Sequence, residues 1–89
     1  MRAVITVIGK DAVGILAKVS AICAAHNANI TEVTQSVLQD MFAMIMLTDI
    51  SKMNGPLSNL SDELSALEKD SGLKIHVMHE DVFNSMHRI

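Results

Sequence analysis

The chain has 89 residues, of which 49% are apolar, 2% are aromatic and 19% are charged, and its formal net charge is −3. This length suits one domain, and a chain so apolar and so weakly charged is expected to fold rather than stay disordered. Neither a basic surface nor Trp and Tyr side chains for base stacking are available, which argues against nucleic-acid binding. The sequence therefore predicts one domain over residues 1–89 that binds no nucleic acid.

The apolar runs are short, and the cysteine content is minimal. The run Met41–Leu47 falls far below the roughly 20 residues that a membrane span needs. The first residues do not read as a signal peptide. Cys23 stands alone, which excludes a disulfide framework. We expect a soluble cytoplasmic protein without membrane contact.

The first two elements are a strand and a helix. Residues 2–8 are rich in β-branched side chains, which predicts a strand that ends at Gly9. Residues 12–26 place apolar side chains at helical spacing. Asp11 is a candidate N-cap of this helix, and Asn27 is a candidate stop.

A hairpin and a second helix follow. Residues 29–38 predict a rather polar strand, and residues 41–50 predict a strand that is apolar on both faces. The two residues between these strands form a tight turn. Leucines at helical spacing after Pro56 predict a second helix, which Gly72 ends.

Residues 73–80 alternate between apolar and polar and predict a fourth strand, and residues 82–89 form a short amphipathic tail. The order β-α-β-β-α-β is that of an α+β ferredoxin-like sandwich. The apolar strands one and three are expected at the centre and the more polar strands at the edges. The predicted sheet is therefore antiparallel with order 4-1-3-2, and both helices lie on one face.

Strand three carries more apolar side chains than such a domain can cover. Met44 and Met46 point to one face of the sheet, whereas Met41 and Ile45 point to the other. Two helices on one face leave the second set in water, and an exposed apolar patch marks an interface. We expect a homo-oligomer, in the form of a two-fold homodimer.

The segment between strand one and helix one is the most informative part of the sequence. Gly9 permits a sharp turn, and Gly14 removes a side chain early in the helix, where free N–H groups attract an anion. A carboxylate is the natural guest there, Asp11 can hold an ammonium group, and the Asn29 amide can do both. This pattern fits a zwitterionic amino acid. The alternative remains open that Asp11 only caps the helix, Gly14 only allows close packing and Asn29 only forms a turn.

The residue pattern gives little support for metal binding or catalysis. His76 and His79 are three residues apart on a strand, so they face opposite ways and cannot chelate together. No nucleophile turn surrounds any serine, and no glycine-rich phosphate loop is present. The sequence therefore predicts no metal site, no cofactor and no enzymatic activity.

Residues 9–16, followed by Val19, Ile22 and His26, resemble the opening motif of the ACT domain family of small-molecule-binding regulatory modules. The pair at residues 29–30 resembles the family's start of strand two. The resemblance runs along the whole chain and looks closest to the small stand-alone UPF0237-like subgroup, which is similar to halves of the glycine cleavage regulator.

This resemblance implies the ferredoxin-like fold and an amino acid or related metabolite bound at a dimer interface, with the signal passed to another protein. The sequence departs from the family pattern at Val13, where many members carry proline, so the loop is expected to be less rigid. The primary hypothesis is a stand-alone homodimeric module that regulates an unidentified protein partner in trans. The alternative is a ligand-free adaptor that uses the exposed sheet face and the tail. By resemblance, the pocket residues are Lys10, Asp11, Ala12, Val13, Gly14, Asn29 and Ile30.

Overall fold

The computed structural model describes residues 1–10 and 14–86. Its elements follow the predicted order β-α-β-β-α-β and add a third helix at the end. They are β1 (Arg2–Gly9), α1 (Ile15–Ala25), β2 (Asn29–Leu38), β3 (Met41–Asp49), α2 (Leu57–Ser71), β4 (Lys74–His79) and α3 (Glu80–Met86).

The four strands form one sheet in the order β2-β3-β1-β4, with every neighbouring pair antiparallel. This order is the predicted 4-1-3-2 arrangement, read from the opposite edge. The apolar strands β1 and β3 occupy the centre, where each has a neighbouring strand on both sides, as their apolar sequences predict. Strands β2 and β4, which carry more polar side chains, form the edges.

Alternate residues of the central strands build the hydrophobic core. Ile5 and Val7 of β1 lie beside Met46 and Met44 of β3 and are fully or almost fully buried. We call this side of the sheet the core face and the other side the open face. Buried side chains of both long helices join the same core cluster, namely Ile15, Val19, Cys23, Leu60 and Leu64.

Helix α1 differs at its start from the sequence expectation. It begins at Ile15 rather than at residue 12, and Gly14 precedes it in a left-handed conformation with φ of 73°. Gly14 is therefore not an early helical residue, because a right-handed helix cannot contain this φ value. The candidate N-cap Asp11 lies outside the described residues. The helix ends at Ala25, and Asn27 turns the chain with φ of 58°.

Gly9 also serves a purpose other than the expected one. It is the buried last residue of β1 and has no left-handed φ. A Cβ at this position would overlap the side chain of Leu73. Gly9 therefore permits the close approach of Leu73 rather than a sharp turn. Gly72 does end α2 in a left-handed conformation, as predicted.

The predicted tail is partly a helix that lies on the sheet. Helix α3 packs against β1 and β4, and its Phe83 and Met86 line a groove with open-face residues of the sheet. Val4 points to the open face and is nevertheless only 1% exposed. Residues 87–89 lie outside the described residues. None of the described helices is long and apolar enough to cross a membrane.

Candidate functional site

The first half of the predicted site lies at the start of α1. The Gly14 carbonyl accepts the first helical hydrogen bond, from Lys18 N at 3.0 Å. The preceding N–H groups of the helix have no helical acceptor and carry its partial positive charge, and no acidic residue lies in the first turn. A Cβ built on Gly14 would meet no atom within 4 Å. Gly14 therefore serves the backbone turn rather than close packing, and open space remains for an anion.

The second half lies at the beginning of β2, in a polar pocket of about 270 Å³. Asn29 is exposed and pairs with Asp49 of β3. Its side-chain amide makes no hydrogen bond with residues 1–10 or 14–86, so it is available to a ligand. Asn27 Nδ2 donates to the Lys52 carbonyl at 2.7 Å, which fixes the pocket wall. The lining residues are Asn27, Asn29, Asp49 and Lys52.

The Asp49 carboxylate supplies the negative charge of this pocket, and the Lys52 ammonium group on the same lining partly balances it. Its Oδ1 accepts hydrogen bonds from Ser51 Oγ at 2.7 Å and from Ser51 N at 2.9 Å. These bonds, the hydroxyl's first and then the backbone's, hold the pKa of Asp49 below its usual value of 3.8. Asp49 is therefore ionised at neutral pH, and it can hold an ammonium group beside the Asn29 amide.

One chain does not bring the two halves together. Gly9, which leads into the α1 end, pairs with Phe42, whereas Asn29 pairs with Asp49, seven residues further along β3. At the rise of a β-strand this separation is roughly 23 Å. A single small amino acid cannot touch both ends of one sheet.

The remaining predicted pocket residues fall on either side of this division. Lys10 directly follows β1 and is exposed. Ile30 is partly buried and packs against the core, and it does not line the polar pocket. Asp11, Ala12 and Val13 lie outside the described residues.

Sequence reasoning missed Asn27, Asp49 and Lys52 as neighbours of Asn29. Two short polar stretches, residues 27–29 and 49–52, flank the outer ends of the predicted hairpin. Paired antiparallel strands bring such ends together, so this pattern indicates that the two polar stretches are neighbours.

Within the part of the chain that the structure describes, the other reactive side chains do not form a metal site. Among residues 1–10 and 14–86, no three His, Cys, Asp or Glu side chains are close enough to hold a metal ion. His26 Nε2 lies 3.0 Å from Glu63 Oε1 and links α1 to α2. Cys23 is a free, buried thiol in the core, and burial raises its pKa to about 11.

An apolar groove crosses the open face beside α3. It measures about 460 Å³ and is lined mainly by aliphatic, Met and Phe side chains. A second hollow of about 550 Å³ adjoins it over β2 and β3 and shares Ile8 and Ala43 with it. Sequence reasoning placed exposed apolar residues on this face but did not predict that α3 would form one wall of the groove.

The element order β-α-β-β-α-β and the four-stranded antiparallel sheet place this protein in the class of α+β ferredoxin-like domains. The family model for the ACT domain matches residues 2–78. The chain therefore belongs to the ACT domain family.

Similar proteins agree in length as well as in sequence. A UPF0237 protein of Clostridium perfringens is 48% identical over 89 residues and covers 100% of both chains. A UPF0237 protein of Methanopyrus kandleri is 47% identical over 88 residues, which are 99% of this chain and 98% of that protein. The solved structure of an ACT domain protein from Streptococcus pneumoniae superimposes with a TM-score of 0.79 at 34% identity, over 93% of each chain.

Proposed function

We propose that this chain is a stand-alone cytoplasmic regulatory module that acts as a homodimer, binds a small amino acid or a related metabolite and controls a partner protein in trans. Its helices α1 and α2 cover one face of the sheet, and it has no catalytic activity of its own. The observation that carries the proposal is the pair of half-sites with opposite charge preference. The α1 start attracts a carboxylate, and the pocket of Asn29 and Asp49 attracts an ammonium group.

The separation of the half-sites supports a ligand bound between two chains. A two-fold pairing that places the two chains in opposite directions brings the Gly14 end of one chain beside the Asn29 end of its partner. Each zwitterion then meets the helix start of one chain and the polar pocket of the other. Two equivalent sites result for each dimer.

Binding is tested by calorimetry and thermal unfolding with each of the twenty amino acids. At a hundredfold excess over its dissociation constant, a ligand stabilises the native state by about 2.7 kcal/mol. Absence of both heat and stabilisation with all twenty amino acids contradicts the amino-acid part of the proposal.

Mixing two inactive variants tests whether the site is shared between chains. Gly14→Ala alters the helix-start half, and Asn29→Ala removes the amide of the other half, so each homodimer should bind weakly. In a mixed dimer, the intact Gly14 of one chain meets the intact Asn29 of the other, and one of the two sites is restored. Unfolding and refolding the variants together should recover up to half of the wild-type sites among the mixed dimers. No recovery, with mixed dimers verified by mass spectrometry, would place the site within one chain.

The apolar open face favours a second candidate function, that of a ligand-free adaptor. Ile45 is 43% exposed and Met86 is 64% exposed on the same side of the sheet. Removal of residues 82–89 distinguishes the two functions. If a co-purifying partner is lost while the dimer and the amino-acid response persist, both functions operate. If the partner is lost and no amino acid binds even the full chain, the adaptor function alone remains.

A further inference from the structure

The open face of the sheet is only half covered. Helix α3 shields the β1–β4 half, where Val4 is almost completely buried. The half over β3 and β2 stays accessible, since Met41, Ile45 and the neighbouring Ile8 are all more than two-fifths exposed. The hollow over β2 and β3 lies along this uncovered strip, and the groove beside α3 extends from β4 to the strip at Ala43 and Ile45.

Helix α3 carries a second apolar surface that its own sheet leaves largely exposed. Val82 and Met86 are four residues apart and therefore lie on one side of the helix, and both are largely exposed. Phe83 and part of Met86 line the groove, whereas Val82 does not. The Arg2 guanidinium fixes the position of the helix start, because its Nε and Nη2 contact Glu80 Oε1 and Oε2 at 3.0 and 2.6 Å.

We propose that the open face is a contact with a second copy of this chain, in which α3 of each copy occupies the uncovered strip of the other. A two-fold axis parallel to the strands places the β1–β4 half of one sheet opposite the β2–β3 half of its partner. The two α3 helices then lie side by side between the sheets. Each helix contacts its own sheet through Phe83 and one side of Met86, and the partner's sheet through Val82 and the exposed part of Met86.

The dimensions of the surface suit this occupant. Two neighbouring strands are roughly 10 Å wide, and a helix with its side chains measures about 10–12 Å across. The protein is a slab of 36 × 34 × 20 Å, so its broad face exceeds the ~800 Å² that each partner contributes to a standard interface. The methionines of the groove and helix can adapt their shape to the facing surface.

The charges on the face permit the contact. In the middle of the uncovered strip, the bordering β2 side chains Thr34 and Ser36 are uncharged. Charged side chains of the described open face lie towards the ends of the strands, with Arg2, Asp49 and Glu32 at one end and Lys74 at the other, and Arg2 is already paired with Glu80. The middle of the strip therefore buries apolar surface without enclosing an unpaired charge, whose desolvation would be costly.

This contact rests on the self-association in the proposed function but uses a different surface from the ligand site. The pairing that unites Gly14 with Asn29 opposes the two strand directions, whereas the open-face pairing keeps them parallel. A chain that uses both pairings assembles as four copies, and loss of the open-face contact leaves a dimer that still binds its ligand.

The first test measures molar mass by light scattering at about 100 μM. Ile45→Glu places a charge in the strip and should break the open-face contact, which halves the molar mass of the assembly. Leu16→Glu is the matched control, because Leu16 is similarly exposed on α1, away from the open face, and it should keep the wild-type mass. A wild-type mass for Ile45→Glu, or a monomeric wild type, overturns the open-face contact. Amino-acid binding by Ile45→Glu reports separately on the proposed function.

The second test is insensitive to a folding defect caused by a buried charge. Ile45→Cys and Val82→Cys are prepared as separate proteins, mixed, allowed to exchange subunits and oxidised, while Cys23 stays protected in the core. A disulfide that joins a peptide of one variant to a peptide of the other, identified by mass spectrometry of the non-reduced digest, supports the contact, because only different chains can supply the two thiols. The control mixture of Ile45→Cys with Leu16→Cys should give no such product. Equal yields in both mixtures overturn the proposal.

Discussion

Replacing Gly14 with alanine tests the backbone conformation that precedes α1. If Gly14 lies before the helix in a left-handed conformation, the substitution should lower the free energy of unfolding, whereas a position inside the helix should raise it. In the structure Gly14 has φ of 73° and precedes the helix. An alanine there must adopt the left-handed conformation, at a cost of roughly 1–2 kcal/mol. The less flexible unfolded chain offsets about 0.4–1 kcal/mol of this cost. We expect a net loss of about 1 kcal/mol in the free energy of unfolding.

The new methyl group itself meets open space, since no atom lies within 4 Å of its position. The loss is therefore a backbone effect and not a steric clash. For a domain of this size, 1 kcal/mol lowers the melting temperature by roughly 4–8 °C. Gly14→Asn is the matched control, because asparagine adopts the left-handed conformation more readily than alanine and should lose less stability.

Thermal and urea unfolding followed by circular dichroism give the answer. If Gly14 were instead an early residue of the helix, as its sequence position suggests, alanine would stabilise the protein by about 0.4–1 kcal/mol. A raised melting temperature for Gly14→Ala would therefore refute the left-handed entry into α1.

Three further predictions follow from individual contacts. Arg2→Ala should remove the ion pair with Glu80 and speed amide hydrogen exchange in α3, while global stability falls by less than about 1 kcal/mol, since the pair is exposed; unchanged exchange would show that the pair does not hold the helix. The lowered pKa of Asp49 means that its stabilising contribution is present above pH 3.8, the ordinary pKa, and is lost as pH falls through the lower folded value. Carboxyl NMR titration should show that Ser51→Ala raises this pKa towards 3.8, and no change would contradict the hydrogen-bond assignment. At pH 8 native Cys23, with its pKa of about 11, should carry roughly 100-fold less thiolate than a cysteine at the ordinary 9.0 and resist a thiol reagent until urea exposes it; rapid native labelling would contradict its burial.

Strand order was predictable because burial on both faces leaves a clear mark on a sequence. The residues of β1 and β3 are apolar almost throughout, which is the pattern of central strands. The end of α2 was predictable for a similar reason, since glycine is favoured in the left-handed position that follows a helix.

The misses arose where local sequence does not determine the backbone or the packing. Gly14 fits either inside a helix or before it, and only its φ value decides. Helix α3 follows β4 without a connecting residue and is only seven residues long, too short for periodicity to identify it.

The candidate site was predictable in its residue types but not in its geometry. Gly14 and Asn29 are near each other in sequence, yet α1 carries the chain between them along the length of the sheet. An 11-residue helix spans roughly 16 Å. Asp49 joined the site through strand pairing with Asn29, which sequence proximity cannot reveal.

The most direct measurement of the central claim maps amide chemical shifts while an amino acid is titrated into the labelled protein. If a zwitterion bridges two chains, the amides at Gly14–Ile15 and those at Asn29 and Asp49 should shift together, with one common dissociation constant. Shifts at only one end of the sheet, or at neither end with any of the twenty amino acids, would contradict a shared amino-acid site.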